Sequence, residues 1–208
     1  MPAAQVPQTS SLAVLKEGVQ HCRACDLYRN ATQAVFGGGA RNARIVAVGE
    51  QPGDYEDKDG RPFVGPAGKV LDRAFEDAGV SRCDVYVTNA VKHFKFEPRG
   101  KRRIHKKPNT AEIPACRPWL EAEVACVTPE LIVALGATAV QSLLLKKARI
   151  TPLRGKFMEH PWAKALFITI HPSAILRTQS SEDRARGYAH FVQDLKAVAG
   201  WLRHRSAA

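Results

Sequence analysis

The chain has 208 residues, 45% of them apolar and 25% charged, which suits one globular domain. No apolar run approaches the roughly 20 residues of a membrane span, and the first residues have neither the basic region nor the apolar core of a secretory signal. A net charge of +11 and a pI near 9.7 point to a polyanionic partner, and five cysteines without an export signal argue against a disulfide framework.

Residues 1–9 read as a short disordered lead and 10–204 as a single domain in the cytoplasm. Ser10 or Ser11 caps a helix with Leu12, Leu15 and Val19 on one face, ending near Cys22-Arg23-Ala24-Cys25. A glycine-rich loop over 31–42 leads to the apolar run Ile45-Val46-Ala47-Val48, a buried strand. Pro52 and Gly53 cannot continue a ladder, so Gly49-Glu50-Gln51-Pro52-Gly53-Asp54 turns at that strand's end. Residues 54–66 read as a polar loop, whose Phe63 either covers the core or faces a pocket. Ala67, Val70, Leu71, Ala74, Phe75 and Ala78 have helical spacing, stopped by Gly79.

A second strand over 85–88 ends at Asn89. Six of the nine residues from Arg99 to Lys107 are Lys or Arg, and Gly100 and Pro108 argue against a regular helix there. Asn109, with Glu112 three residues later, starts a helix carrying Ile113, Cys116, Trp119, Leu120 and Val124. Leu131-Ile132-Val133-Ala134-Leu135 is a third buried strand, stopped by Gly136, and a helix with Val140, Leu143 and Leu144 follows. Residues 149–164 are irregular, with a short edge strand around Lys156-Phe157-Met158. The fourth main strand ends at His171, and a last helix from near Ser181 places Tyr188, Phe191, Leu195, Val198 and Leu202 on one side. Strands alternating with helices imply a three-layer α/β/α sandwich around a mostly parallel four-stranded sheet.

Ligands of open α/β sheets bind at the carboxyl ends of strands. Glu50, Gln51 and Asp54, then Asn89, then His171 and Ser173 stand at three such ends and can share one pocket. A carboxylate there can stabilise a developing cation or orient a nucleophile. The Asn89 amide offers a donor and an acceptor in one plane, as the edge of a pyrimidine requires. His105 lies among cations, which favour its neutral form, and a neutral imidazole is a usable nucleophile or base. Cys22 and Cys25 can grip a metal from one turn, with Cys116 as a third ligand and Cys83, Cys126 and His93 competing for the fourth place. Taken singly, each has a plainer reading: buried apolar thiols, a solvated phosphate-contacting loop, a core histidine, a turn asparagine.

Together these residues resemble the uracil-DNA glycosylase superfamily. Gly49-Glu50-Gln51-Pro52-Gly53 is similar to its first motif and His171-Pro172-Ser173-Ala174-Ile175-Leu176-Arg177 to its second. Cys22-x-x-Cys25 and Ala115-Cys116-Arg117-Pro118 resemble the iron–sulfur family 4 enzymes. Lys92-His93-Phe94 stands where those carry Lys-Cys-Arg-Pro-Pro, which implies Cys22, Cys25, His93 and Cys116 as ligands of a 4Fe–4S cluster. Gln51 in place of the usual Ala, and the insertion Lys101-Arg102-Arg103-Ile104-His105, are similar to the UdgX subgroup. Members of that subgroup remove uracil and then become covalently joined to the DNA through the histidine of the insertion.

The resemblance implies Glu50, His105 and His171 as catalytic, Phe63 stacked on the base and Asn89 reading its edge. It also implies that Gly49, Gln51, Gly53, Asp54, Ser173 and Arg177 contact substrate and that Lys101, Arg102 and Arg103 hold phosphates. The partners implied are uracil-containing DNA, with single strands favoured, and free uracil; the protein would act as a monomer. Two other readings stand beside this one. One is a family 4 glycosylase that turns over, with His105 merely touching phosphate; the other is a non-catalytic nucleic-acid-binding protein with a zinc or iron–sulfur module.

Overall fold

The computed structural model describes residues 1–146 and 149–206. Its main sheet holds β1 (Ile45–Gly49), β2 (Val85–Asn89), β5 (Leu131–Leu135), β6 (Phe157–His160) and β7 (Ala163–Thr169), in the order β2-β1-β5-β7-β6. The first four strands in that order are mutually parallel and β6 runs antiparallel at the edge. The expected four-stranded parallel sheet is therefore present, and the short edge strand makes a fifth.

Strands β1 and β5 are buried at every position, which explains their unbroken apolar runs: both faces are covered. On one face, α3 (Pro66–Asp77) and α7 (Ser181–Ser206) contribute Leu71, Phe75, Phe191 and Leu195. On the other, α4 (Glu112–Val127) and α5 (Ala137–Leu144) contribute Leu120, Val124, Val140 and Leu143. The result is a three-layer α/β/α sandwich. A third apolar cluster joins α1 (Leu12–Gly18) and the Cys22–Cys25 turn to α4. Ala4 belongs to it, and its N–H donates to Ala115 O at 2.9 Å, so the N-terminal segment is tied to α4 there. No described helix is long and apolar enough to cross a membrane.

Two elements differ from the sequence expectation. The polar stretch after Gly53 is a helix, α2 (Asp54–Asp59). Glu56 Oε2 accepts from Gly53 N at 3.0 Å, closing the first turn, while the buried Asp57 carboxylate accepts from Thr32 N at 3.0 Å. The basic stretch is a hairpin of β3 (Phe96–Arg99) and β4 (Arg102–His105), with Gly100 in the left-handed region (φ 56°) at its two-residue turn. The expected reciprocal cap at the start of α4 is present. Asn109 Oδ1 accepts from Glu112 N at 2.8 Å and Glu112 Oε2 from Asn109 N at 2.7 Å.

A buried ion pair fixes the end of β2. Lys92 Nζ donates to Glu123, to Thr88 Oγ1 at 2.7 Å and to Asn89 O at 2.9 Å. Glu123 also accepts from Tyr86 OH, Thr88 Oγ1 and Gly37 N, so neither charge lacks partners. This network holds the backbone of Asn89 where the strand leaves the sheet.

Candidate active site

The parallel strands end along one rim, and a cavity of 1010 Å³ opens there. Glu50 and Gln51 reach it from β1, Asn89 from β2, Leu135 and Gly136 from β5, and His171 follows β7. The β3–β4 hairpin adds His105 from the opposite side; Phe63, Gly53, Ser173 and Arg177 complete the wall. Nine expected site residues thus share one cavity, although their strands are far apart in sequence.

Gly49, expected on substrate, is absent from the cavity wall, and its bare backbone lets two wall residues close in. A Cβ there would stand 2.4 Å from Asn89 Oδ1 and 2.7 Å from Phe63 Cζ, so ring and amide both lean over the bare backbone. Phe63 holds a left-handed conformation (φ 57°), a strained state for a bulky residue. Gly68 permits it, since a Cβ on Gly68 would overlap Phe63 O at 1.6 Å. Phe63 faces His171 with ring centroids 6.0 Å apart and planes 27° from parallel. A flat ligand in the cavity would therefore meet an aromatic face, an amide and an imidazole.

His171 is held in one tautomer. Its Nδ1 accepts from Ser173 N at 3.2 Å, and an amide N–H can only donate, so the proton of the neutral ring sits on Nε2. Ser173 Oγ lies 2.8 Å from the same nitrogen and accepts from Arg177 Nη1 at 3.1 Å. Desolvation, helped by Arg177 and His105, pushes the His171 pKa down to about 4. Near neutral pH the ring thus presents an uncharged N–H donor to the cavity.

Glu50 and His105 meet at the mouth. Glu50 Oε1 lies 3.5 Å from His105 Nε2, with 23% and 49% of the side chains exposed. Glu50 Oε2 accepts from the Thr138 hydroxyl on α5. Burial lowers the His105 pKa, Glu50 raises it, Arg177 lowers it, and a bond to its own backbone carbonyl raises it; the net shift is downward.

The hairpin is fixed by two side chains. Gln51 Nε2 donates to Lys95 O at 3.1 Å and Lys106 O at 3.0 Å, while its Oε1 accepts from Lys95 N at 3.2 Å. Gln51 thus bonds both ends of the hairpin. Arg103, expected on phosphate, is engaged within the protein. It donates to Asp54 at 2.5 Å, to Asp57 at 2.6 Å and to Thr32 Oγ1 at 3.2 Å, and lies over Phe94 and Phe96. Asp54, expected on substrate, is one of those partners and is absent from the cavity wall. Lys101 and Arg102 are exposed at the hairpin tip.

Sequence reasoning missed Thr138 and Glu56. Glu56 bridges Gly53 N and Gly65 N at 3.0 and 2.8 Å, and its place three residues after Gly53 is capping-box spacing. Thr138 follows the end of β5, where the strand-end rule already pointed.

Of the expected metal ligands, Cys25 and Cys116 lie in the cluster around α1 and α4, and Cys22 packs against it. Cys116 is fully buried, and desolvation pushes its pKa up to about 12, with Lys92 opposing and Cys25 and Cys22 adding to the rise. Lys92 N donates to Cys116 Sγ at 3.2 Å. The next residue, His93, has its pKa pushed down to about 4 by burial and by Arg23 in the Cys22–Cys25 turn. The three thiols thus sense one another, and His93 senses the turn that carries two of them. Cys126 lies ten residues beyond Cys116 on α4, a rise of about 15 Å. Cys83 is exposed on the turn before β2. Among the described residues, no three His, Cys, Asp or Glu side chains converge closely enough to hold a single metal ion.

Residues 36–196 match the Uracil DNA glycosylase superfamily. The chain is 41% identical to a type-4 uracil-DNA glycosylase of Thermotoga maritima over 174 residues, covering 83% of this chain and 87% of that one. It is 38% identical to the type-4 uracil-DNA glycosylase of Sulfurisphaera tokodaii, covering 80% and 76%. The type-4 enzyme of Pyrobaculum aerophilum is also 38% identical, with 80% and 85% covered.

Proposed function

Because the chain belongs to the uracil DNA glycosylase superfamily, we propose that it excises uracil from DNA and, as in the UdgX subgroup, ends bonded to the sugar through His105. The observation that carries the second half is the approach of His105 Nε2 to within 3.5 Å of Glu50 Oε1 at the cavity mouth. In this reading uracil leaves the base stack, at a cost of a few kcal/mol, and enters the cavity. Phe63 stacks on it, Asn89 bonds N3–H and O4, and His171 Nε2–H donates to O2. As the C1′–N1 bond breaks, its electron pair passes to uracil, and His171 stabilises that negative charge. The uracil anion then takes a proton from solvent.

The sugar left behind is oxocarbenium-like, and the Glu50 carboxylate faces it. His105, as the neutral ring protonated on Nδ1, bonds to C1′ through its Nε2 lone pair, and the resulting imidazolium gives its Nδ1 proton to solvent. The imidazole is not set up as a leaving group, so the protein completes one turnover. Gln51 and Arg103 hold the hairpin for this step, while exposed Lys101 and Arg102 suit phosphate contact. The charge of +11 favours DNA; in this reading single strands are the preferred substrate. The protein acts as one monomeric domain, in the cytoplasm.

A 4Fe–4S cluster held by Cys22, Cys25, His93 and Cys116 belongs to the same proposal. Each ligand of such a cluster takes its own iron, so the four need a wider spacing than a single ion allows. The donors fit: His93 is held neutral, and buried Trp119 Nε1, in the same apolar cluster, has no hydrogen-bond partner among the described residues. Such a cluster would act as a structural clamp, because glycosidic cleavage moves no net electrons.

The likeness to type-4 enzymes favours a second reading, a glycosylase that turns over. One experiment separates the two: purified protein is mixed with a uracil oligonucleotide and run on a denaturing gel, with released uracil counted. A shifted band and about one uracil per protein are expected. Many uracils per protein with no shifted band would establish turnover.

A further inference from the structure

Of the two Glu50 carboxylate oxygens, Oε1 lies 3.5 Å from His105 Nε2. The other accepts from the hydroxyl of Thr138, a residue 1% exposed in the first turn of α5. That turn is placed with little slack. Gly136 swings the chain out of β5 with φ 95°, and a Cβ there would stand 3.1 Å from His171 Cβ. The hydroxyl is thus presented by rigid backbone, 88 residues away in sequence from the acid it meets. Glu50 is otherwise partly exposed, and an unheld carboxylate at a cavity mouth would sample several rotamers.

From this we infer that Thr138 is a positioning residue for the reaction proposed above. By holding Oε2 it aims Oε1 at the sugar carbon and at His105, and it acts only through Glu50. The inference rests on the reading of Glu50 as the group facing the sugar cation. Hydrogen bonds to charged groups are strong enough that losing one slows a dependent step by about tenfold to a hundredfold.

The test uses Thr138→Val, which keeps the shape and removes the donor, and Thr138→Ser, which restores the donor. Both are compared with the wild-type protein in single-turnover reactions on a uracil oligonucleotide over a range of protein concentrations. Thr138→Val is expected to lower the maximal rates of uracil release and adduct formation about tenfold or more, with half-saturation unchanged. Thr138→Ser is expected to recover most of the loss. Wild-type rates in Thr138→Val, equal slowness in Thr138→Ser, or a change confined to half-saturation would each overturn the inference. Glu50→Gln is run alongside. If it reacts at the full rate, the reading of Glu50 falls and this inference with it. If it is slow while Thr138→Val is not, this inference alone falls.

Discussion

Arg103→Met should separate base removal from bond formation to the protein. The long methionine side chain keeps contact with Phe94 and Phe96 but loses both carboxylates. The pair with Asp54 counts for little, since 34% of that side chain is exposed. The pair with Asp57 counts for more, because Asp57 has no exposed surface. Removing one partner of a buried pair costs about 3–5 kcal/mol. Asp57 keeps its two bonds from Thr32 N, which favours the lower end, about 3 kcal/mol. At 1.4 kcal/mol per tenfold, that lowers the ratio of docked to undocked hairpin by about a hundredfold. His105 rides on the hairpin, while Glu50, Asn89, Phe63 and His171 do not. In a single-turnover time course, the denaturant-resistant band should therefore appear about 10–100 times more slowly, with release of free uracil much less affected. Arg103→Lys should not rescue, because a single ammonium lacks the fork that reaches both carboxylates. A parallel fall of both rates, or no change in either, would refute the staple.

Gln51→Ala strips Lys95 N and Lys106 O of their bonds; Lys95 O keeps Lys106 N at 2.9 Å. About 2 kcal/mol of docking is lost. The same time course should show a smaller, selective slowing of adduct formation, and equal slowing of uracil release contradicts this. Gly49→Ala should cut single-turnover uracil release about tenfold or more by displacing Asn89 or Phe63, and wild-type release contradicts it. With pH, the sign follows from the lowered pKa of His105, whose neutral nucleophilic form persists below the ordinary value of about 6.5. The adduct rate should stay level as pH falls to about 6.5 and decline only below it. A decline centred above that value would mean that another group limits the reaction.

What the sequence could reveal depended on how far each structural cause lay from its effect. β1 and β5 were legible because a strand covered on both faces needs an unbroken apolar run, and Ile45 to Val48 and Leu131 to Leu135 supply one. Asn89 and His171 were legible because strand ends in such a sheet converge. α2 was not, because its six residues are mostly polar and its stability comes from Glu56 and from Asp57 on Thr32, 25 residues upstream. The β3–β4 hairpin was hidden for a similar reason: its row of cations has no alternation, and Gln51 and Arg103 hold it through partners 44 to 55 residues away. Arg103 showed the sequence its charge but not the two carboxylates that take it. Thr138 and Glu50, 88 residues apart, left no trace of their contact.

In the proposed reaction an imidazole, not water, takes the sugar carbon. Its most direct test is mass spectrometry of the product after tryptic and nuclease digestion. Cleavage after Arg103 and Lys106 releases the short peptide Ile104-His105-Lys106. A deoxyribose remnant is expected on that peptide's histidine ring. Unmodified peptide, recovered beside free abasic DNA, would contradict it.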